Sequence, residues 1–302
     1  MTIGANDGSI QIGGGEAASI ANDQKISYYN FDAVLDQKDR IWLADEDANG
    51  LRYDISTKRV ERFRIPTTGR VFGGLHVDGD TLWFRGDTGV ATWKVGAGAI
   101  TRVFPVDAGS YPDGYVLTPG TVWITTSKLS DSNRKLDCAT VAIDRASGKV
   151  VANAHDPVAT GVPAWWPMTL LLEGDSALWV TRPGTGTVER MDRNGHRRVW
   201  SFAPKAPVDL LLTAPGALLL VRKAQITVVY EFNRDLDERK ILETDLVVID
   251  GLTASLKSVR VPDDLREASL RRDASGQFRL GAAGVVSLKG GLPSIEREPA
   301  KK

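Results

Sequence analysis

The chain has 302 residues with 38 Lys+Arg against 38 Asp+Glu, so its net charge is zero, and no basic run exceeds two residues; nucleic acid is not expected as a partner. The longest nearly uninterrupted apolar stretch, Val208 to Val221, contains Asp209, Thr213 and Pro215 and is too short for a membrane span. The lone Cys138 cannot close an intrachain disulfide, and Met1 to Asp7 has neither a basic head nor an apolar signal core, so a soluble chain is expected, either cytoplasmic or secreted or periplasmic with its signal removed.

An apolar core recurs along the chain. In order it reads Ser9-Ile10-Gln11-Ile12, Arg40-Ile41-Trp42-Leu43, Thr81-Leu82-Trp83-Phe84, Thr121-Val122-Trp123-Ile124, Ala177-Leu178-Trp179-Val180, Ala217-Leu218-Leu219-Leu220 and Gln277-Phe278-Arg279-Leu280. The Trp spacings are 41, 40 and 56 residues. Turn signals such as Asp78-Gly79-Asp80, Pro119-Gly120 and Pro215-Gly216 precede most cores. In four units a following strand ends in an apolar-Asp step, Tyr53-Asp54, Ile143-Asp144, Met191-Asp192 or Ile249-Asp250, where the carboxylate is expected to fix a hairpin. Each unit thus predicts four short strands, a to d, and Thr2 to Phe31 is expected to form a complete first unit. Only Asp263 to Arg271 has a trace of helical periodicity, and it can equally supply an a-strand.

Seven such units of about 43 residues predict an all-β, seven-bladed β-propeller as a single domain, with approximate blades 2–31, 32–70, 71–109, 110–160, 161–205, 206–262 and 263–299. The alternative is six blades with an irregular N-terminal arm. Burial of both sheet faces explains the apolar b-strands.

The segment Ile41-Trp42-Leu43-Ala44-Asp45, then Gly50-Leu51-Arg52-Tyr53-Asp54 and Arg59-Val60-Glu61-Arg62-Phe63, resembles the repeat of two-component-regulator and streptogramin-lyase-like propellers. The resemblance is partial in the Trp83, Trp123 and Trp179 units. It implies a propeller fold and, for the lyases, histidine and glutamate working with magnesium at the channel mouth. His76, His155 and His196 fall on segments that do not converge in this topology, so no lyase motif transfers. Cys138, with no base nearby in sequence, reads as a small buried residue.

Links between blades and b-to-c loops share one end of a propeller. There lie Phe72-Gly73-Gly74, the stretch Ser110 to Tyr115 with Tyr111, Asp113 and Tyr115, the Pro-flanked pair Trp165-Trp166, and two long insertions, Ser127 to Asp137 and Lys223 to Glu243. Trp165-Trp166 reads either as a stacking platform for a sugar, aromatic ligand or peptide side chain, or as filler between blades. Arg85, Arg182 and Arg222 end three b-strands and either converge on an anion or pair locally with Asp87, Glu173 and Glu231. Asp45-x-Asp47-x-Asn49-Gly50 opens like a calcium loop but has Ser56 where the bidentate Glu belongs, and Asn49-Gly50 is equally a hairpin turn. Gly13-x-Gly15-x-x-Ala18 lacks the helix that a dinucleotide site needs. No cofactor is expected, calcium or magnesium being the minor alternative. The expected function is non-enzymatic binding of a protein partner or a small or oligomeric ligand at the channel mouth, with a metal-assisted lyase or hydrolase as the alternative.

Overall fold

A computed structural model describes residues 2–5, 9–13, 18–21, 26, 31–129, 135–157, 168–213, 216–231 and 234–297. Each recurrent apolar core forms the second strand of a small antiparallel sheet. The first sheet has three strands, β1 (Thr2–Ala5), β2 (Ser9–Gly13) and β3 (Ala18–Ala21). Six four-stranded sheets follow. They are β4–β7 (Phe31–Leu35, Arg40–Asp45, Asn49–Asp54, Val60–Arg64), β8–β11 (His76–Asp78, Thr81–Gly86, Gly89–Lys94, Arg102–Pro105) and β12–β15 (Ser110–Leu117, Thr121–Leu129, Lys135–Asp144, Val150–Pro157). Then come β16–β19 (Leu170–Glu173, Ala177–Arg182, Thr187–Asp192, Arg197–Ser201), β20–β23 (Ala206–Thr213, Gly216–Glu231, Arg234–Asp250, Leu256–Arg260) and β24–β27 (Leu270–Arg272, Phe278–Leu280, Gly284–Lys289, Leu292–Arg297). This is the organisation of a β-propeller, with the sheets as blades 1 to 7 in chain order. The fourth strand expected for blade 1 lies outside the described residues.

By contact density the chain divides into two compact units. One comprises Met1–Leu117, Val122–Leu129 and Ile143–Val150, the other Thr118–Thr121, Ser130–Ala142 and Val151–Lys302, so blade 4 contributes strands to both. In the first unit Trp42 and Ala44 of blade 2 pack with Leu82, Phe84 and Trp93 of blade 3. In the second, Trp179 and Trp200 of blade 5 pack with Leu219 and Val247 of blade 6, whose Leu218 and Leu246 meet Leu265, Leu280 and Val286 of blade 7. Trp42, Trp83, Trp123 and Trp179 are all buried, as expected of strands covered on both faces.

The turn aspartates act as their sequence position implies. Asp54 Oδ1 accepts from Ser56 Oγ and Thr57 N, which pulls its carboxyl down to about 2. Asp144, Asp192 and Asp250 accept equivalent bonds from Ser147, from Asn194 and His196, and from Leu252 and Thr253. Residues at the start of three d-strands tie their blade to the next. Arg102 donates to the carbonyl of Ala146 (2.9 Å), Arg198 to Gly251 (2.9 Å) and Lys257 to Gly290 (3.1 Å), each acceptor lying in the c-to-d turn of the following blade. Residues 263–271 resolve the ambiguous segment: a 3₁₀ turn at Asp263–Leu265 leads into the a-strand β24. No helix among the described residues is long and apolar enough to cross a membrane.

Candidate functional site

Beside the end of β9, in the first unit, Val71 to Gly74 bring the chain into blade 3. Val71 bridges to Gly86, Phe72 N donates to the Arg85 carbonyl (2.8 Å), and Arg85 N donates to the Gly73 carbonyl (3.0 Å). Gly73 (φ 79°) and Gly74 (φ 67°) turn the chain back through the left-handed region. A side-chain carbon on Gly74 would stand 3.0 Å from Arg85 Nε and 3.2 Å from Tyr115 Cε1. These two glycines floor a cleft of about 450 Å3 whose walls include Phe31, Asp32, Glu46, Phe72 and Arg85.

Arg85 braces this region through backbone carbonyls. Its Nη2 donates to Phe72 O (2.5 Å), and its Nη1 donates to Pro112 O (3.3 Å) and to Asp113 O. Arg85 thereby joins the approach to blade 3 with the start of blade 4. The stretch Ser110 to Tyr115 is not a loose link but part of strand β12, made regular by a bulge between Pro112 and Gly114 that leaves Asp113 out of register. That bulge frees the Asp113 carbonyl for Arg85, while the Asp113 carboxylate accepts from Ser127 Oγ. Tyr111 is 44% exposed at the edge of the same strand. The Tyr115 hydroxyl and Arg85 Nε are both buried without a hydrogen-bond partner. Burial pushes the Tyr115 phenol well above its ordinary range, the Arg85 charge opposing the shift and the Asp32 charge adding to it.

Asp32 completes the wall. Its Oδ1 accepts from Ala33 N (2.8 Å) and its Oδ2 from Leu75 N (2.9 Å), fixing the carboxylate across the entry into blade 3. The same device recurs in the second unit, where Asp209 Oδ2 accepts from Leu270 N (3.2 Å) at the entry into blade 7. Asp32 was not among the expected site residues, yet a signal exists: Asp32, Asp113 and Asp209 each precede the Trp slot of their blade by 10 residues.

The arginines divide differently from expectation. Arg85 lies two residues beyond its Trp slot, but Arg182 and Arg222 lie three beyond theirs, and side chains alternate along a strand, so the positions are not equivalent. Arg182 is buried, pairing with Glu189 (3.1 Å) and donating to Thr140, rather than with Glu173. Arg222 donates to the Ala268 carbonyl (2.8 Å) and lies 3.8 Å from Asp209, and burial lowers its pKa. Asp87 accepts from Arg70 N instead of pairing with Arg85. Glu173 accepts from Trp179 Nε1 and Arg190 Nε.

In the Asp45 loop, Asp45 Oδ1 accepts from Asn49 N (2.9 Å), Asn49 Oδ1 accepts from Arg64 (2.7 Å), and Asp47 is exposed. The Asp45 carboxylate closes the β5–β6 turn, and the Asn49 side chain ties it to β7. Among the described residues no three His, Cys, Asp or Glu side chains gather as metal ligands. His76 and His155 are exposed on β8 and β15, and His196 bonds Asp192 (2.9 Å) in a turn. Cys138 is buried on β14. Trp165 and Trp166 lie outside the described residues.

The Lys223 to Glu243 insertion continues the blade rather than interrupting it. Strands β21 and β22 stay paired from Gly216↔Asp250 to Glu231↔Arg234, with an irregularity at Lys223/Ala224. Their outer neighbours stop at Arg222 and Asp245, so the hairpin beyond has two edges with no strand against them among the described residues.

No protein-family model and no curated protein sequence matches the chain. Similar solved structures include BamB from Moraxella catarrhalis, at 14% identity and a TM-score of 0.55, covering 98% of this chain and 81% of that one. The extracellular domain of the putative one component system BT4673 from B. thetaiotaomicron matches at 16% identity and a TM-score of 0.53, covering 91% of this chain, which spans only 38% of the BT4673 chain. They also include virginiamycin B lyase from Staphylococcus aureus, at 13% identity and a TM-score of 0.47, covering 90% and 85%. The fold is the β-propeller. At these identities the likeness of this propeller to its neighbours shows fold alone.

Proposed function

We propose that this propeller is a binding module without catalytic activity, holding a small ligand or a partner's side chain in the Gly73–Gly74 cleft. The observation that carries the reading is the cleft's construction: Arg85 on its wall is braced by three backbone carbonyls, while Asp32 on the same wall keeps hydrogen-bonding capacity. Binding residues on loops held by a rigid scaffold are a common arrangement, and BamB and BT4673 give examples of the same scaffold outside the lyases. The hairpin of β21 and β22 supports a protein partner as well, since an unpaired strand edge is a template for strand addition. Trp165 and Trp166 remain proposed contacts on sequence grounds.

The test is a screen of the full chain against a small-molecule library of mixed charge, read by amide chemical shifts. The reading expects a subset of compounds to move the amides of Asp32, Phe72 to Gly74 and Arg85 together without being turned over. Turnover of any compound, or a cleft that responds to none, would contradict it.

A further inference from the structure

The charges around the cleft are unequal in what they leave for a ligand. Arg85 has its two terminal nitrogens on the carbonyls of Phe72, Pro112 and Asp113, whose dipoles offset its charge, and only the buried Nε–H is left. An anion would have to displace those bonds and unlock the two blade entries. Asp32 stands in the opposite condition. Two backbone N–H groups orient its carboxylate, and among the described residues no cationic side chain lies within salt-bridge reach of it. Glu46 adds a second carboxylate to the wall, and Phe31 and Phe72 add aromatic surface. The Tyr115 ring packs behind Gly74, with its hydroxyl buried away from the cleft.

We infer that the group bound in this cleft is an organic ammonium, of a free amine or of a lysine side chain presented by a partner, held by Asp32 with Phe31 and Phe72 against its alkyl stem. The inference rests on the binding reading above and names its ligand class. A carboxylate already held by neutral donors gains most from a cation, because the cation adds a charge-assisted bond without requiring the site to reorganise. Aromatic faces beside the carboxylate favour the same ligand through cation–π attraction. Gly73 and Gly74 leave the approach open where a Cβ would close it.

The probes are n-butylammonium, N-acetyl-lysinamide, n-butanol, N-acetyl-norleucinamide and butyrate, titrated into the full chain by calorimetry. Binding of an ammonium probe at least about tenfold tighter than of its neutral counterpart, weakening as salt is raised, supports the inference. If N-acetyl-lysinamide alone binds, the source is a protein side chain; if butylammonium binds as well, a free amine suffices. Asp32→Asn keeps an acceptor for Leu75 and is expected to abolish the ammonium preference. Should that variant fold poorly, the comparison of charged and neutral probes on the unaltered chain still decides. Equal affinity for the neutral probes, or preference for butyrate, overturns the inference. A cleft that answers to other library members but to neither ammonium overturns it and leaves the binding reading standing. A cleft that answers to nothing removes both.

Discussion

The indole Nε1 of Trp42 donates to Asp36 Oδ2 at 2.8 Å, and the two residues stand six apart in the sequence. Blade 5 repeats the pair as Trp179 and Glu173 (2.7 Å), again six apart. In blade 7 the Trp slot holds Arg279, whose Nε donates to Asp273, six residues earlier, at 2.9 Å. A guanidinium thus supplies the donor that an indole supplies elsewhere. In blade 3 the turn is one residue shorter: Asp78 precedes Trp83 by five, bonds Arg145 instead, and Trp83 Nε1 is buried without a partner.

Asp36 also accepts from Arg40 Nε and from the backbone N–H groups of Lys38 and Arg40. Burial raises its pKa, but these bonds outweigh burial and hold the carboxyl below its usual range. Replacing Asp36 by Ala leaves a buried indole N–H unmatched and is expected to cost about 2–3 kcal/mol, read from urea midpoints.

Acid should act through the same carboxylates. Hydrogen bonds from Arg190 and Trp179 hold Glu173 below its usual range against burial, and Asp36 and Asp273 are lowered as well. A carboxyl whose folded pKa lies below its unfolded one stabilises the fold above the unfolded value, and that stabilisation is lost as pH falls through the folded one. The melting temperature should therefore decline below about pH 4, less steeply in the doubly substituted Asp36→Asn, Glu173→Gln chain. A pH profile unchanged by the double substitution would contradict this assignment.

Arg85→Lys should fail to replace Arg85, because one ammonium cannot reach the carbonyls of Phe72, Pro112 and Asp113 together. Both Arg85→Lys and Arg85→Ala are expected to lose about 2–4 kcal/mol, with the Lys variant recovering less than half of the Ala loss. Guanidinium unfolding curves provide the check.

Much of the fold was legible because blade packing repeats. The four tryptophans announce their strands, and the turn aspartates announce their hairpins. The cleft was legible only in part. Phe72-Gly73-Gly74, Arg85, Asp113 and Tyr115 were marked by residue type, and they do assemble. Asp32 was not, because a single Asp on an edge strand looks solvated until the next blade's Leu75 N–H arrives opposite it. The arginines misled because a one-residue offset in a strand reverses the face, and sequence position near a strand end does not reveal it. Ser110 to Tyr115 read as a link because Pro112 and Gly114 suppress a strand assignment that the bulge makes possible.

The part of the β21–β22 hairpin beyond Arg222 and Asp245 contributes no described side chain to the four buried clusters. Replacing residues 224–241 by Asn-Gly should leave a folded blade 6 and a melting temperature within a few degrees of the full chain's, as expected for loss of a hairpin that neither outer strand of the blade pairs. A collapse in thermal stability would instead make the hairpin part of the core.

Ammonium binding in the cleft beside Arg85 is decided by titration of the isotopically labelled full chain with N-acetyl-lysinamide and N-acetyl-norleucinamide. Saturable shifts at Asp32, Phe72, Gly73, Gly74 and Arg85 with the lysine compound, at least about tenfold weaker with its neutral counterpart, are the predicted result. Unmoved cleft amides across both titrations, or equal responses to both compounds, would contradict it.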